Sequence, residues 1–542
     1  MYDIIIKNGK IVDGTGEDSY FADIAIKDGK IDQINESIDA EAKQIIDAEN
    51  LIVSPGFIDM HSHVDFSIVF DNKAQSLITQ AITTSVVGMC GASLAPITDE
   101  NFEEFKRDCD IGAPPGKEYD LTWRTYAEYL ETMEKNKIAI NIVPFVGFTA
   151  IRIAGGPSYE NREPSQDELK KMQGFVEEAM RAGAFGFSTG LIYSPQVYAK
   201  TEEVIEVAKA AAKYNGLYFS HIRDEGPRLI EAVQEAIEIM EKSGCRGGQI
   251  AHHKASGRPN WGKTIKTLDL IDAANKRGLD ITADQYPYNR SSTSLITMLP
   301  PWVHEGGLSN LLDRLKSEEE RAKIKKDLNE QTEEAENWIA TIGPDNIFIS
   351  SAKTDYWKDI EGKNLVEITQ IKGKKDVFET LFDLILEEKG EVWITIRSMG
   401  EEDIHRVMKN KYVMIGCDGS GYAPTGILSY GKPHPRNYGT FPRIIRKFVK
   451  EENLFPLEEA IRKMSGASAE KLMLENRGII EEGFWADLTI FDYDEIEDVA
   501  TFEDPHQFSK GIEYVIVNGE IVLEKGKQNE KLPGKVIKKT EI

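Results

Sequence analysis

The sequence predicts an α/β protein: a (β/α)8 TIM-like barrel, a small β-sandwich domain formed by both chain ends, and an inserted lid after the seventh barrel strand. Three observations carry this prediction. Short apolar, β-rich segments alternate with amphipathic helical ones, the pattern of a parallel sheet covered by helices. Several of the apolar segments end on His, Cys or Asp, and barrels of parallel strands collect their chemistry at the carboxyl ends of different strands. The two termini also echo each other.

The echo comes first along the chain. Asp3-Ile4-Ile5-Ile6-Lys7-Asn8-Gly9-Lys10-Ile11-Val12 and Glu513-Tyr514-Val515-Ile516-Val517-Asn518-Gly519-Glu520-Ile521-Val522 each read as strand, Asn-Gly turn, strand, which is a hairpin signal. Ala22 to Ile31 and Ala486 to Phe491 read as further strands. The expected division is therefore 1–53 and 479–542 for the small domain and 54–478 for the barrel, with the insertion at about 290–405. Barrel strands are expected to end near Asp59, Cys90, Phe145, Ser188, His221, His252, Asp284 and Asp418. Between them, Thr201 to Tyr214 reads as a helix capped by Thr201, with Glu202, Glu203 and Glu206 near its N-terminal end. Leu229 to Lys242 places Leu229, Ile230, Val233, Ile237 and Met240 on one core-facing stripe. The interval from Asp284 to Asp418 is too long for one βα unit and holds Thr297 to Trp302 and the charged stretch Lys316 to Glu336. It reads as a lid over the barrel mouth, the alternative being a peripheral helical decoration.

Composition narrows the function. With 542 residues the chain exceeds one compact core. At 41% hydrophobic and 29% charged residues it has the make-up of a soluble globular protein. No apolar run reaches the roughly 18–20 residues that span a bilayer, and the N-terminal segment lacks a basic region and cleavage site. Four scattered cysteines fit a reducing, cytoplasmic setting better than a disulfide framework. The net charge of −26 argues against nucleic acid and anionic membranes as partners. An anionic small molecule would need cations inside its pocket.

The candidate chemistry starts at Gly56-Phe57-Ile58-Asp59-Met60-His61-Ser62-His63, directly after the apolar Leu51-Ile52-Val53. On a strand, residues two apart face the same side, so His61 and His63 would converge as a metal site requires. Cys90, His221, His252 and Asp418 close other apolar segments. A thiolate and two imidazoles suit Zn2+, and with Cys90, His221 and His252 bound a fourth position stays open for water. Zinc lowers the pKa of such a water to about 7. A nearby carboxylate must then take the attacking proton and pass it to the leaving group, the role expected of Asp418. The bland alternatives are a buried core thiol at Cys90 and a turn residue at Asp418. His253 would point away from His252, as a structural residue.

Taken in order, these stretches resemble the D-aminoacylases (N-acyl-D-amino-acid deacylases) of the amidohydrolase superfamily. The matching motifs are Gly56 to His63, Cys90-Gly91, Gly186-Phe187-Ser188-Thr189-Gly190-Leu191, Ser220-His221-Ile222-Arg223, His252-His253-Lys254, Asp284-Gln285-Tyr286-Pro287-Tyr288, Cys417-Asp418-Gly419, His434-Pro435-Arg436 and Gly439-Thr440-Phe441-Pro442. The resemblance implies a barrel with a small β-domain from both ends, one tightly held zinc on Cys90, His221 and His252, and a second, weaker metal site on His61, His63 and Asp418. It implies an N-acyl amino acid as substrate, with Lys254, Tyr286, Ser292 and Arg436 binding its carboxylate. Related cyclic-amide hydrolases bridge two metals with a carboxylated lysine. Neither Phe185 to Gly190 nor Ile140 to Phe145 contains a lysine, and Lys135 and Lys137 precede the latter. The reading is zinc-dependent hydrolysis of N-acyl-D-amino acids; the alternatives are a related enzyme acting on D-residue dipeptides or a cyclic amide, and a non-catalytic scaffold. One departure stands out. The segment Gly419 to Lys432 is longer than the family's usual spacing and bears on substrate choice and on the carry-over to Arg436. Oligomeric state is not legible.

Overall fold

A computed structural model describes residues 1–330 and 336–539 of the chain. Eight parallel strands form the barrel: β1 (Phe57–Asp59), β2 (Ile82–Val87), β3 (Asn141–Gly147), β4 (Gly186–Gly190), β5 (Leu217–His221), β6 (Gly247–Ile250), β7 (Ile281–Gln285) and β8 (Val413–Ile415). They pair in sequence order. The Met60 amide closes the ring by donating to the Ile415 carbonyl at 3.1 Å. Parallel strands covered on both faces read as continuous apolar runs, and every residue of β3 and β5 is buried. Ile58, Val143, Phe145, Leu217, Phe219 and Met414 share one core cluster. The rings of Phe145 and Phe219 lie 4.5 Å apart. The expected strand ends agree with these strands to within a few residues.

The helix over Thr201–Ala212 forms as expected, but Thr201 is its first helical residue rather than its cap. The Thr201 hydroxyl donates instead to Glu235 on the next helix, at 2.8 Å. His253 donates or accepts through Nε2 at Thr267, 2.7 Å away, on the helical side of β6.

The two chain ends build one nine-stranded sheet, in which Ile52–Pro55 and Leu488–Phe491 pair antiparallel. The C-terminal echo is a hairpin: Ile512–Val517 and Glu520–Glu524 joined at Asn518-Gly519, both with positive φ. The N-terminal echo is not. Tyr2–Ile11 is a single strand, and Asn8-Gly9 is a bulge inside it. The reason is tertiary. Before the bulge this strand pairs with Ala42–Asp47, and after it with Ile52–Val53, so the extra residue moves one strand between two neighbours. The sheet curls until its turns meet: the Ala486 amide donates to Gly29 and the Gly519 amide to Ala486, each at 2.9 Å.

The insertion is a folded unit rather than a loop. Arg290–Ser294, Ile347–Ser351 and Trp393–Arg397 form a three-stranded antiparallel sheet, and Leu311, Trp357, Phe382, Ile394 and others make a core of their own. The charged stretch begins where the helix Gly307–Lys316 ends and forms the helix Glu318–Asn329; its residues 331–335 lie outside the described residues. The helix Glu401–Lys409 already packs back on the barrel helix Thr264–Lys276. Among the described residues, no helix is long and apolar enough to cross a membrane.

Candidate metal centre

Each candidate ligand stands just beyond a strand end. His61 and His63 follow β1, Cys90 follows β2, His221 ends β5, His252 follows β6 and Asp418 follows β8. Three of them, Cys90, His252 and Asp418, sit at positive φ (53°, 32° and 51°). Left-handed backbone costs about 1–2 kcal/mol at each non-glycine residue, so local bonds must hold it. The Cys90 carbonyl accepts from Gln196 at 3.1 Å. The His252 amide donates to the Asp284 carboxylate at 2.9 Å. The Asp418 amide donates to His61 at 2.7 Å. Gly88 makes the turn into Cys90 possible, since a Cβ there would lie 1.9 Å from the Phe145 carbonyl.

These turns aim the donor atoms inward. His61 Nε2 lies 3.2 Å from Cys90 Sγ and 3.4 Å from Asp418 Oδ1. Cys90 Sγ lies 3.5 Å from His252 Nε2. One ligand atom from each of His61, Cys90, His252 and Asp418 falls within 4.8 Å of all the others, and His221, Glu225 and His252 form a second such set. His63 is outside both sets. It begins a helical turn, yet its Nε2 reaches the same Asp418 Oδ1 at 3.3 Å. The ring of His221 packs at 87° to that of His252, with centroids 4.3 Å apart, and both of its nitrogens are buried without a hydrogen-bond partner. Buried polar atoms are almost always paired. Orphaned imidazole nitrogens beside a thiol, two further imidazoles and a carboxylate are what a zinc site offers.

The electrostatics agree. Burial alone would raise the pKa of Cys90, but the charges of His61 and His252, with the His221 and His252 imidazoles close by, hold it well below the thiol range. Burial would likewise raise Asp418; Arg436, His252 and His61 outweigh it and keep the carboxylate ionised. Burial opposes protonation of His61, which the charges of Cys90, Asp284 and Asp418 favour more strongly.

Two carboxylates whose roles the sequence did not suggest brace the cluster. Asp284 lies 3.4 Å from His61 Nδ1 while accepting from Gln249 at 2.6 Å. One oxygen of Glu225 meets Lys254 Nζ at 2.5 Å, His252 Nδ1 at 3.2 Å and His221 Nε2 at 3.7 Å. Carboxylates that take the second nitrogen of a ligating histidine fix its ring and tautomer. Asp59 bridges β1 and β8 by accepting from the amides of His61 and Cys417 at 3.2 and 2.8 Å, and burial pushes its carboxyl up to about 7.

A cavity of about 340 Å3 opens over the cluster, with His63, Cys90, Asp418, Ser292 and Arg436 in its wall. Arg436 Nη1 donates to Asp418 Oδ2 at 2.7 Å, and its guanidinium lies 4.8 Å from the centre of the Tyr286 ring. The Ser292 hydroxyl donates to Ile394 at 2.8 Å. Lys254 and Tyr286 are not part of the wall. Lys254 lies behind His252, held by Glu225 and 2.8 Å from His252 Nδ1, and the buried Tyr286 hydroxyl has no partner. The insertion walls the mouth with Ile296, Leu299 and Trp393, and the long segment after Asp418 adds Tyr422, Leu428 and Tyr430. Arg436 still reaches Asp418 despite that added length.

The profile of the amidohydrolase family matches residues 44–289 and 429–523, leaving out the insertion. The chain belongs to the amidohydrolase family. It is similar over 99% of its length to a D-aminoacylase of Alcaligenes xylosoxydans xylosoxydans, at 30% identity and covering 98% of that protein. Among solved amidohydrolase structures it resembles the N-acyl-D-glutamate deacylase of Bordetella bronchiseptica, complexed with zinc and a phosphonate mimic of the tetrahedral intermediate (TM-score 0.81, 29% identity, 99% of each chain). It also resembles a D-aminoacylase with a binuclear metal centre, activated by one metal and attenuated by the second (TM-score 0.80, 30% identity, 99% of this chain and 100% of that one).

Proposed function

We propose that this protein is a zinc-dependent N-acyl-D-amino-acid deacylase, cleaving its substrate to a carboxylate and a free D-amino acid. The observation that carries the reading is the joint placement of a thiol–imidazole–carboxylate cluster and the Asp418–Arg436 pair in one cavity. Full-length likeness to deacylases acting on D-amino acids supports the reaction and its stereochemistry.

Cys90, His221 and His252 would hold the tightly bound zinc, and His61, His63 and Asp418 a second, weaker one. Bound there, zinc supplies a Lewis acid for the amide carbonyl and water activated near neutral pH. Arg436, the charged donor in the cavity wall, binds the substrate's α-carboxylate, with Ser292 beside it; charge-assisted bonds of this kind contribute about 1.5–3 kcal/mol each. Lys254 and Tyr286 act from behind, Lys254 through His252 and Tyr286 through the face of Arg436. Asp418 takes the proton from the attacking water and returns it to the departing nitrogen. A substrate carboxylate drawing on Arg436 removes the charge that most depresses Asp418, so binding makes Asp418 a better base. In the proposed division into a two-ended β-domain (1–53, 479–542) and a barrel (54–478) with an insertion at about 290–405, all of these residues belong to the barrel and its insertion. Four free cysteines support a cytoplasmic setting.

The test is release of free amino acid from zinc-loaded protein, offered matched N-acetyl-D- and N-acetyl-L-amino acids. D-selective turnover is expected; no turnover of either panel with zinc shown bound refutes the reading. Asp418→Asn with zinc retained should lose about 100-fold to 10,000-fold in kcat, and near wild-type activity would remove Asp418 from its role.

A further inference from the structure

Two arginines stand together outside the cavity. Arg290 opens the strand Arg290–Ser294 of the insertion's sheet, and Arg397, its direct partner, ends the neighbouring strand Trp393–Arg397. Directly opposed side chains on paired strands share a face, and so do residues two apart on one strand. Arg290 therefore lies on the face that carries Ser292 into the cavity wall, but neither arginine belongs to that wall. Phe348, on the strand Ile347–Ser351, lies beside both. Its ring centre is 4.1 Å from the Arg290 guanidinium and 5.3 Å from that of Arg397. A second ring, Phe502, approaches Arg290 from the C-terminal segment, also at 4.1 Å. Sandwiched between rings, the Arg290 guanidinium keeps only its edge open, and its N–H donors lie in that plane.

These two charges lack a counter-charge. Among the described residues, neither guanidinium makes a hydrogen bond or an ion pair. Arg290 is only 8% exposed, and buried polar and charged groups are almost always paired. Burial and the charge of Arg397 lower the pKa of Arg290 to about 10, with Glu503 opposing them, so the group stays cationic at neutral pH. Glu503, exposed next to Phe502, is near enough to act on that charge but not to pair with it. Acid is not scarce in a chain of 91 Asp and Glu against 65 Lys and Arg. Like charges placed opposite each other destabilise a sheet, a cost that a bound anion would offset. A planar carboxylate suits an arginine with covered faces, because its two oxygens accept two parallel N–H bonds in the guanidinium plane. A tetrahedral oxyanion would turn its out-of-plane oxygens toward the two rings. The Arg290 carbonyl also accepts from His434 Nε2 at 2.9 Å, and His434 Nδ1 accepts from the Arg436 amide at 3.0 Å, so the arginine pair lies one imidazole away from the backbone of Arg436.

We propose that Arg290 and Arg397 form a binding site for a small carboxylate, separate from the catalytic cavity, in which Arg290 grips the anion edge-on and Arg397 supplies the second charge. This goes beyond the deacylase reading and does not depend on it. The test is anomalous diffraction from crystals of the zinc-loaded protein, in a lattice that leaves the edge of Arg290 open, soaked in 4-bromobenzoate or in selenate over the same concentration series. Each site then reports its own occupancy. A bromine peak beside Arg290 is expected, with an apparent affinity at least about fivefold above that of selenate there. Bromine confined to the cavity, or absent altogether, overturns the proposal; selenate bound at Arg290 as well as or better than 4-bromobenzoate overturns the carboxylate assignment. Arg397→Gln changes an exposed side chain and should weaken the Arg290 site about fivefold or more while leaving bromine in the cavity unchanged. Glu503→Gln should strengthen the Arg290 site about twofold by removing a competing charge. An Arg290 site unaffected by Arg397→Gln removes Arg397 from the proposal, and one weakened by Glu503→Gln contradicts an anion as its occupant.

Discussion

Glu225 shows how one oxygen organises a site: it meets Lys254, His252 and His221 at 2.5, 3.2 and 3.7 Å. Replacing it by Gln keeps the size and removes the charge that favours the Nδ1–H tautomer of His252. Glu225→Gln should weaken zinc binding about 10-fold to 100-fold, read by competition with a chromogenic chelator; unchanged affinity would limit Glu225 to pairing with Lys254. Gly88→Ala should be poorly tolerated for a different reason, since its Cβ meets a backbone carbonyl that cannot step aside. Much of the donor cluster was legible in the sequence because each donor ends a short apolar run, and a strand end is a position that a pattern can locate. Glu225 was not, because nothing local marks one acid among 91 Asp and Glu residues. Its role exists only where the loop after β5 folds back under His252. Lys254 and Tyr286 entered through family likeness alone, and the fold puts both behind the cavity wall.

The two Asn-Gly pairs carry the same local signal and fold differently. At Asn518-Gly519 the chain reverses; Gly519 has φ of 80°, and a Cβ there would lie 2.4 Å from Gly29 Cα. Gly519→Ala is expected to destabilise the protein by about 1–3 kcal/mol in denaturant titration, and a neutral effect would show that the two turns do not press together. At Asn8-Gly9 two successive neighbours hold the strand straight through the turn signal, a fact of pairing partners that no short window contains. The insertion was legible as extra length but not as a domain, because its three strands pair across separations of about fifty and about a hundred residues. Helix docking has a pH signature as well. Lys471, on the helix Gly466–Leu472, is buried with its Nζ 2.9 Å from Asp280 Oδ1, just before β7. Burial lowers its pKa from 10.5 to about 8. The unfolded chain therefore binds the extra proton between pH 8 and 10.5, and this residue's contribution to stability rises with pH across that window. Relative to Lys471→Met, the wild type should gain stability from pH 8 to pH 10, measured by urea unfolding; a parallel profile for the two proteins would contradict buried docking of the ammonium.

The barrel and the two-ended sheet are joined by a buried polar network. Arg477 pairs with Asp487, whose Oδ2 also accepts from Asn141 at the start of β3 at 3.2 Å, and Asn518 donates to Asn141 at 2.8 Å. Removing one partner leaves the other charge buried and unpaired, so Asp487→Ala should cost about 3–5 kcal/mol. Barrel and sheet should lose stability together, in one calorimetric transition; a separate early transition would show that the sheet unfolds alone. At the opposite end of the strands lies the seam, where the Met60 amide meets Ile415 and the Asp418 amide meets His61. Ser62 and Gly419, paired across it, are 357 residues apart in the chain. His61 and Asp418 belong both to this seam and to the donor cluster. An ion gripped by them would be a clasp on the hoop as well as a reagent: it would tie the first stave to the last, closing a loop that spans most of the polypeptide. Stripping the metal should loosen the hoop at that join before anywhere else, with the amides of Met60 and Asp418 exchanging their hydrogens ahead of the rest of the barrel.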